Sequence, residues 1–380
     1  MELAAEKPAG LPIDLNARID EFLCRALRGE PASWDTLGAI DSEVFLSRCR
    51  HHGIVALLFH RLHESGTWHG WPPDLRHEFE KASKAGVAHD LLRVHYLKQL
   101  VGRLSEHGIP CILLKGEALA ASMYEQPGVR TRSDIDLFIR IQDILVVRHI
   151  MVELGYRIAS PVYKSHQFTV VRPGDESLNI RFDIHWRVLN APRFARLLSF
   201  EAAYRGAKVH PRLPPARILD QSNALMLACM HRFGSQGHDR DRLIWLYDIH
   251  LLVSAMSIND LTEFTEMAVQ QNIQEACSDA LEKSHQYFAT AVPKHVLCAL
   301  RSPLQPESPR SHFSSSQLAL LIDDFRHLPG ARSRFGFLRE FFMPPADYLL
   351  FRYEKEGWYW VPVLYFRYLF GGLIERVTLR

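Results

Sequence analysis

The chain has 380 residues, 47% of them hydrophobic and 23% charged, with a formal net charge of +2. This is the composition of an ordinary globular protein with room for two or three domains. The near-neutral balance shows no global footprint of a nucleic-acid binder.

The first twelve residues read as a loose tail without an apolar signal core, which argues against secretion. From Ile13 to about Leu104, apolar residues recur at three- and four-residue steps, as in ARIDEFLCRAL, and predict helices. Trp71, Pro72 and Pro73 break the pattern. A long amphipathic helix then runs from Pro73 to His107, closed by Gly108 and Pro110. At Cys111 the character changes. Cys111–Leu114 reads as a buried strand, Gly116–Tyr124 as a small-residue helix, Asp134–Ile139 as a strand and Ile141–Leu154 as a helix. Three further strands are expected over Tyr156–Ser160, His166–Arg172 and Leu178–Trp186, with a hairpin turn at Arg172–Asp175.

The middle region is therefore α+β, with a mixed sheet of about five strands. The proline-rich His210–Arg217 reads as a linker. Helical spacing resumes at Asp220, and residues 301–316 read as a loop before an aromatic, basic C-terminal segment. The expected domains are a helical region over 1–107, a core over 108–210 and a second helical region over 218–380.

Six cysteines stand singly, at Cys24, Cys49, Cys111, Cys229, Cys277 and Cys298. Without a C-x-x-C pair they read as buried free thiols in a reducing compartment. No apolar run reaches the roughly 18 residues of a spanning helix. The expected location is the cytoplasm.

The chemistry concentrates between Leu113 and Arg140. Asp134 and Asp136 are two residues apart, so in a strand they share one face while Ile135, Leu137 and Ile139 share the other. In Leu178–Trp186, Asn179, Arg181, Asp183 and His185 share a face by the same alternation. Any half-exposed strand can show this pattern, so the argument rests on the combination. If the two strands pair, three carboxylates meet and call for a compensating cation. Mg²⁺, which prefers hard oxygen ligands and phosphates, suits them, with Mn²⁺ as a substitute. Lys115-Gly116 follows a strand and opens a helix, an arrangement that favours phosphate. Arg130 and Arg132 could steady phosphates, or one of them could simply screen the aspartates.

The pattern LKG, then Tyr124, then GVRTRSDIDLFI, then FDIHWRV, resembles the nucleotidyltransferases of the DNA polymerase β-like superfamily. More narrowly, it resembles a largely uncharacterised bacterial family, nucleotidyltransferase type 5, over almost the full chain. The resemblance implies a polymerase β-like core with helical flanks and a metal triad of Asp134, Asp136 and Asp183. It implies nucleotide contacts from Lys115, Gly116, Arg130 and Ser133, with Lys115-Gly116 standing where the wider superfamily has Gly-Ser. The implied reaction is Mg²⁺-dependent transfer of a nucleoside monophosphate from an NTP, ATP by default, with release of pyrophosphate. The acceptor would be a hydroxyl or phosphate of a small metabolite, sugar or peptide. The rival readings are a non-catalytic nucleotide- or partner-binding module and an antitoxin-like component.

Other residues invite weaker readings. Arg232 and His238 have the loose R-x5-H spacing of HEPN ribonucleases, although Gly234 and Gly237 suggest a loop. His51, His52, His60 and His63 read as surface or satisfied core residues. Asp248 sits in an apolar helix and needs a partner, with Arg242 or Arg232 as the expected one. The C-terminal aromatics Trp358, Tyr359, Trp360, Tyr365, Phe366, Tyr368 and Phe370 read mostly as core.

Overall fold

The computed structural model describes residues 13–160, 166–173, 180–189, 194, 197–234, 242–301 and most of 322–378. Helices α1 (Ile13–Leu27), α2 (Ser42–His52), α3 (Val55–Glu64) and α4 (Pro73–Glu106) come first. Then follow β1 (Ile112–Leu113), α5 (Lys115–Ser122), β2 (Ile135–Phe138) and α6 (Ile144–Glu153). Strands β3 (Arg157–Ser160), β4 (Gln167–Val171) and β5 (Arg181–His185) precede α7 (Phe200–Gly206), β6 (Lys208–Val209) and β7 (Arg217–Ile218). The chain continues with α8 (Gln221–Gly234), α9 (Leu243–Ala255), α10 (Ile258–Gln270), α11 (Gln274–Phe288) and α12 (Lys294–Arg301). The last helices are α13 (Gly330–Phe342), α14 (Ala346–Arg352) and α15 (Val361–Thr378). The fold is α+β, a mixed sheet flanked in sequence by helical regions, as expected.

The long helix α4 starts on Pro73, whose missing N–H costs nothing in a first turn. After it, Gly108 takes a left-handed φ of 66° and donates its N–H to Ser105 O at 3.0 Å.

The chain folds as two compact units. One comprises residues 1–95, 115–132 and 221–304, and the other residues 96–114, 133–220 and 305–380. The first unit is helical. Leu23, Phe45, Leu58 and Phe79 pack with Leu246 and Tyr247 of α9 in one core. The rings of Phe22, Trp34, Phe45 and Trp71 meet at centroid distances of 5.2 to 6.0 Å. His52 is a satisfied core histidine: its ring lies 2.8 Å from Asp20 Oδ1 and accepts Leu243 N–H at 3.3 Å.

The second unit holds a seven-stranded mixed sheet in the order β3-β4-β5-β2-β1-β7-β6. The pairs β2–β5 and β1–β7 are parallel, and the others antiparallel. Two strands more than expected are present because the proline-rich segment is not a linker. His210–Ala216 turns the chain between β6 and β7, with His210 N–H donating to Ala216 O at 2.8 Å. Two-residue strands carry no readable alternation, so this hairpin escapes a periodicity argument.

The C-terminal aromatics also differ from expectation. Trp358 (83% exposed), Tyr359 and Phe366 lie on the surface. Helical spacing places side chains on a common face but does not decide whether that face is buried. The expected tail, the 301–316 loop, Gly174-Asp175 of the expected hairpin turn, Asn179 and His238 lie wholly or mostly outside the described residues. Of the cysteines, five are buried and Cys298 is exposed, all as free thiols. Among the described residues no helix is long and apolar enough to cross a membrane.

Candidate metal and nucleotide site

Strand β2 is IDLF, and all four of its residues are buried. Its neighbour β5 is RFDIH. The two strands run parallel with Asp136 directly paired to Asp183. Paired residues of parallel strands present their side chains on the same face, so the two carboxylates are held side by side. Asp136 is 5% exposed, Asp183 6% and His185 1%. Each of these three offers one ligand atom within 4.8 Å of the others.

Both carboxylates have hydrogen-bond partners from the sheet. His185 Nε2 lies 2.7 Å from Asp136 Oδ1, and Thr169 Oγ1 donates to Asp183 Oδ1 at 2.6 Å. Thr169 stands opposite Asp183 across the β4–β5 ladder. Arg181, nearly half exposed, reaches Asp183 Oδ1 at a longer 3.4 Å. Asp134 lies just before β2, is only partly buried, and is outside the close group of three. Ser133 precedes it and is exposed.

The other residues expected at the site belong to the helical unit. Lys115 opens α5 with φ 47°, a left-handed backbone that a residue with a Cβ adopts at a cost. A Cβ on Gly116 would stand 3.4 Å from Arg132 Cβ and 3.7 Å from Arg130 Nη2. Arg130 is buried against Asp248 of α9. Its Nε donates to Oδ1 at 2.9 Å and an Nη to Oδ2 at 2.7 Å, a forked pairing. Tyr124 completes the group by donating its hydroxyl to Asp248 Oδ1 at 2.7 Å. Burial, reinforced by the Asp248 charge, pushes the Tyr124 hydroxyl well above its ordinary range, so it keeps its proton. The partner of Asp248 is thus Arg130, not the expected Arg242 or Arg232. Arg242 instead donates to His51 O at 2.9 Å, and Arg232 pairs with Asp279.

Arg132 is paired within its own unit. It donates to Glu117 Oε2 at 2.7 Å and also pairs with Asp90, all three side chains being buried. The segment before Arg132 is pinned as well. Thr131 Oγ1 donates to Gly53 O at 2.8 Å, and Gly128, at φ 77°, lies directly on the backbone of α4 at Gly86 and Val87.

A protein-family profile described as "uncharacterised nucleotidyltransferase" matches residues 38–289, a span containing every candidate site residue. The chain belongs to this nucleotidyltransferase family. No curated protein matches it. Among solved structures it is similar to the antibiotic-resistance factor ANT(2'')-Ia, determined in solution. Identity is 15% over 52% of this chain and 99% of that one, with a TM-score of 0.35.

For a nucleotidyltransferase the cluster fits a divalent cation on its own chemistry. Two carboxylates are buried side by side, and a hydroxyl and an imidazole are among the groups that reach them. Juxtaposed buried negative charge of this kind is costly without a cation. Asp136 and Asp183 are hard oxygen donors of the type Mg²⁺ and Mn²⁺ take. Thr169 was not legible as part of the site. Its one sequence signal is a lone hydroxyl between Phe168 and Val170 in the QFTVV strand. Glu117 and Asp90 were equally silent, since an acidic residue on a helix is ordinary until its partner is known.

Proposed function

We propose that this nucleotidyltransferase transfers a nucleoside monophosphate from an NTP to an acceptor hydroxyl or phosphate and releases pyrophosphate. The observation that carries the reading is the pairing of Asp136 with Asp183, both buried, on adjacent parallel strands. Asp136 and Asp183 would hold divalent metal, with Asp134 contributing from the entry to β2. A bound divalent ion, Mg²⁺ or Mn²⁺, would neutralise the triphosphate and lower the barrier to displacement at the α-phosphorus. Asp183 would then help take the proton from the attacking acceptor oxygen as the α–β phosphoanhydride bond breaks. Lys115, Gly116, Ser133 and Arg130 are the proposed phosphate contacts. ATP is the default donor, and a small metabolite, sugar or peptide the acceptor. The five buried free thiols suit a reducing, cytoplasmic setting.

The test is incubation of the intact protein with Mg²⁺, each labelled NTP and a cell extract. Labelled product and pyrophosphate are expected from the wild type and not from Asp136→Ala. NTP binding without pyrophosphate release, across a broad set of acceptors, would instead support a nucleotide-binding module. One observation favours that second reading: Arg130 and Arg132, the two basic groups just before the motif, are both committed to buried carboxylates.

A further inference from the structure

Each of the two carboxylates of the candidate metal site meets a close donor of its own sheet. His185 Nε2 meets Asp136 Oδ1, and Thr169 Oγ1 meets Asp183 Oδ1. The donors come from different strands. His185 is two residues beyond Asp183 on β5, while Thr169 stands opposite Asp183 on β4.

The imidazole itself could be taken for a third metal ligand, because its ring nitrogens fall within the close group. Its hydrogen bonding argues against ligation through Nε2, the nitrogen that meets Asp136. An ionised carboxylate only accepts, so Nε2 carries the hydrogen and donates it to Asp136. Nδ1 is buried with no hydrogen-bond partner among the described residues. A histidine that ligates metal through one nitrogen normally donates the N–H of the other to an acceptor. Ligation through Nε2 would require Nδ1–H, and that hydrogen would be buried without an acceptor among the described residues. An Nε2–H tautomer instead keeps the hydrogen bond to Asp136 and leaves a lone pair at Nδ1.

We infer that His185 and Thr169 are positioning residues, each orienting one metal-binding carboxylate through a donated hydrogen bond, and that Nε2 of the imidazole serves Asp136 rather than the cation. The inference rests on the reading of Asp136 and Asp183 as metal ligands. A donor on one oxygen of each carboxylate fixes its rotation about the Cβ–Cγ bond. Both groups are thereby presented to a shared ion without rearrangement. Thr169 is suited to the task because its β-branched side chain is also at home in a strand. His185 reaches the next strand because its ring spans the gap between neighbouring positions on a common face.

The experiment is Mn²⁺ binding to the full chain, followed by the electron paramagnetic resonance signal of free Mn²⁺, with no nucleotide present. Four variants separate donor from bulk. Thr169→Ser and His185→Gln keep a donor, while Thr169→Val and His185→Phe remove it at similar volume. Removal is expected to weaken Mn²⁺ binding about 10- to 100-fold, the range found for groups that orient metal ligands. The donor-retaining variants are expected to stay within about 3-fold of wild type on the same scale. Thermal melts in EDTA check that each variant is folded, and Thr169→Val, an isosteric change in a strand, carries the test should His185→Phe not fold.

Unchanged Mn²⁺ binding in Thr169→Val and His185→Phe would overturn the inference and leave the metal site standing. His185→Gln as weak as His185→Phe would assign the imidazole to the cation itself and overturn the positioning role. A wild-type protein that takes up no Mn²⁺ at millimolar concentration would overturn the metal site, and this inference with it.

Discussion

Asp136 on β2 and Asp183 on β5 are direct register partners in a parallel pair, and both are buried. Two like charges so placed repel each other, and a cation shared between them relieves that repulsion. The protein is therefore expected to melt at a higher temperature in millimolar Mg²⁺ or Mn²⁺ than in EDTA, by the linkage between binding and stability. Asp136→Asn should remove that metal-dependent rise. In EDTA it should leave the melting temperature unchanged or raised. A lower melting temperature for Asp136→Asn in EDTA would mean the carboxylate is structural.

Arg130 and Asp248 are 118 residues apart and form a buried, forked ion pair. Removing one partner strands the other. Arg130→Met or Asp248→Leu alone should cost on the order of 3–5 kcal/mol in a denaturant titration, and the double replacement should recover much of it. The double variant also separates the two roles of Arg130. A folded Arg130→Met/Asp248→Leu protein that binds NTP like wild type would confine Arg130 to structure, whereas weakened binding would support the phosphate contact.

Lys115 keeps a left-handed backbone at the start of α5, where glycine would be at ease. Lys115→Gly should stabilise the folded protein by about 1 kcal/mol through relief of that conformation. The same change should raise the KM for NTP, if the lysine is retained for phosphate. Gain of stability with unchanged NTP affinity would remove Lys115 from the nucleotide site.

The contact between Gly86 and Gly128 is a backbone-on-backbone approach. A Cβ at Gly128 would stand 2.5 Å from the Gly86 carbonyl carbon, and one at Gly86 would stand 2.8 Å from Gly128 O. Gly128→Ala should destabilise by about 2–4 kcal/mol, combining overpacking with a disfavoured φ. Gly102, on the same helix α4, has nothing within 4 Å of an added Cβ. Gly102→Ala should stabilise by roughly 0.5–1 kcal/mol through helix propensity. Chemical denaturation of the two variants checks the contrast.

Stability should fall on mild acidification. Burial holds the His52 ring below its ordinary value of 6.5, against the pull of Asp20, and burial with the Arg61 charge does the same for His250. A histidine whose folded value is depressed binds fewer protons in the folded state than in the unfolded one. Its contribution is complete above 6.5 and is lost as pH drops below that value toward the folded one. Burial alone would raise Asp20, but hydrogen bonds from Arg48 and His52 outweigh it and hold the carboxyl below 3.8, so its contribution fails only at lower pH. Thermal melts at pH 7.5, 6.5 and 5.5 should show the decline, and His52→Gln should flatten part of it. A melting temperature independent of pH across this range would contradict the assignment.

Much of this protein was determined by local sequence. The alternation in DIDLF and RFDIH decides which residues share a face, because successive side chains of a strand must point oppositely. The helical spacing of Pro73–Glu106, begun by proline and followed by Gly108, is equally local. These features placed Asp136 and Asp183 on strands and the neighbouring helices in order. What the tertiary structure decided is who meets whom. Arg130 finds Asp248 through the packing of α9, Arg132 finds Glu117 and Asp90, and Thr169 finds Asp183 only because β4 lies beside β5 in that register. An ion pair or a side-chain hydrogen bond between distant segments has no period and no spacing to betray it. It depends on which surfaces pack together, and that is a property of the whole chain. The β6–β7 hairpin was hidden for a related reason, since two residues are too few to alternate.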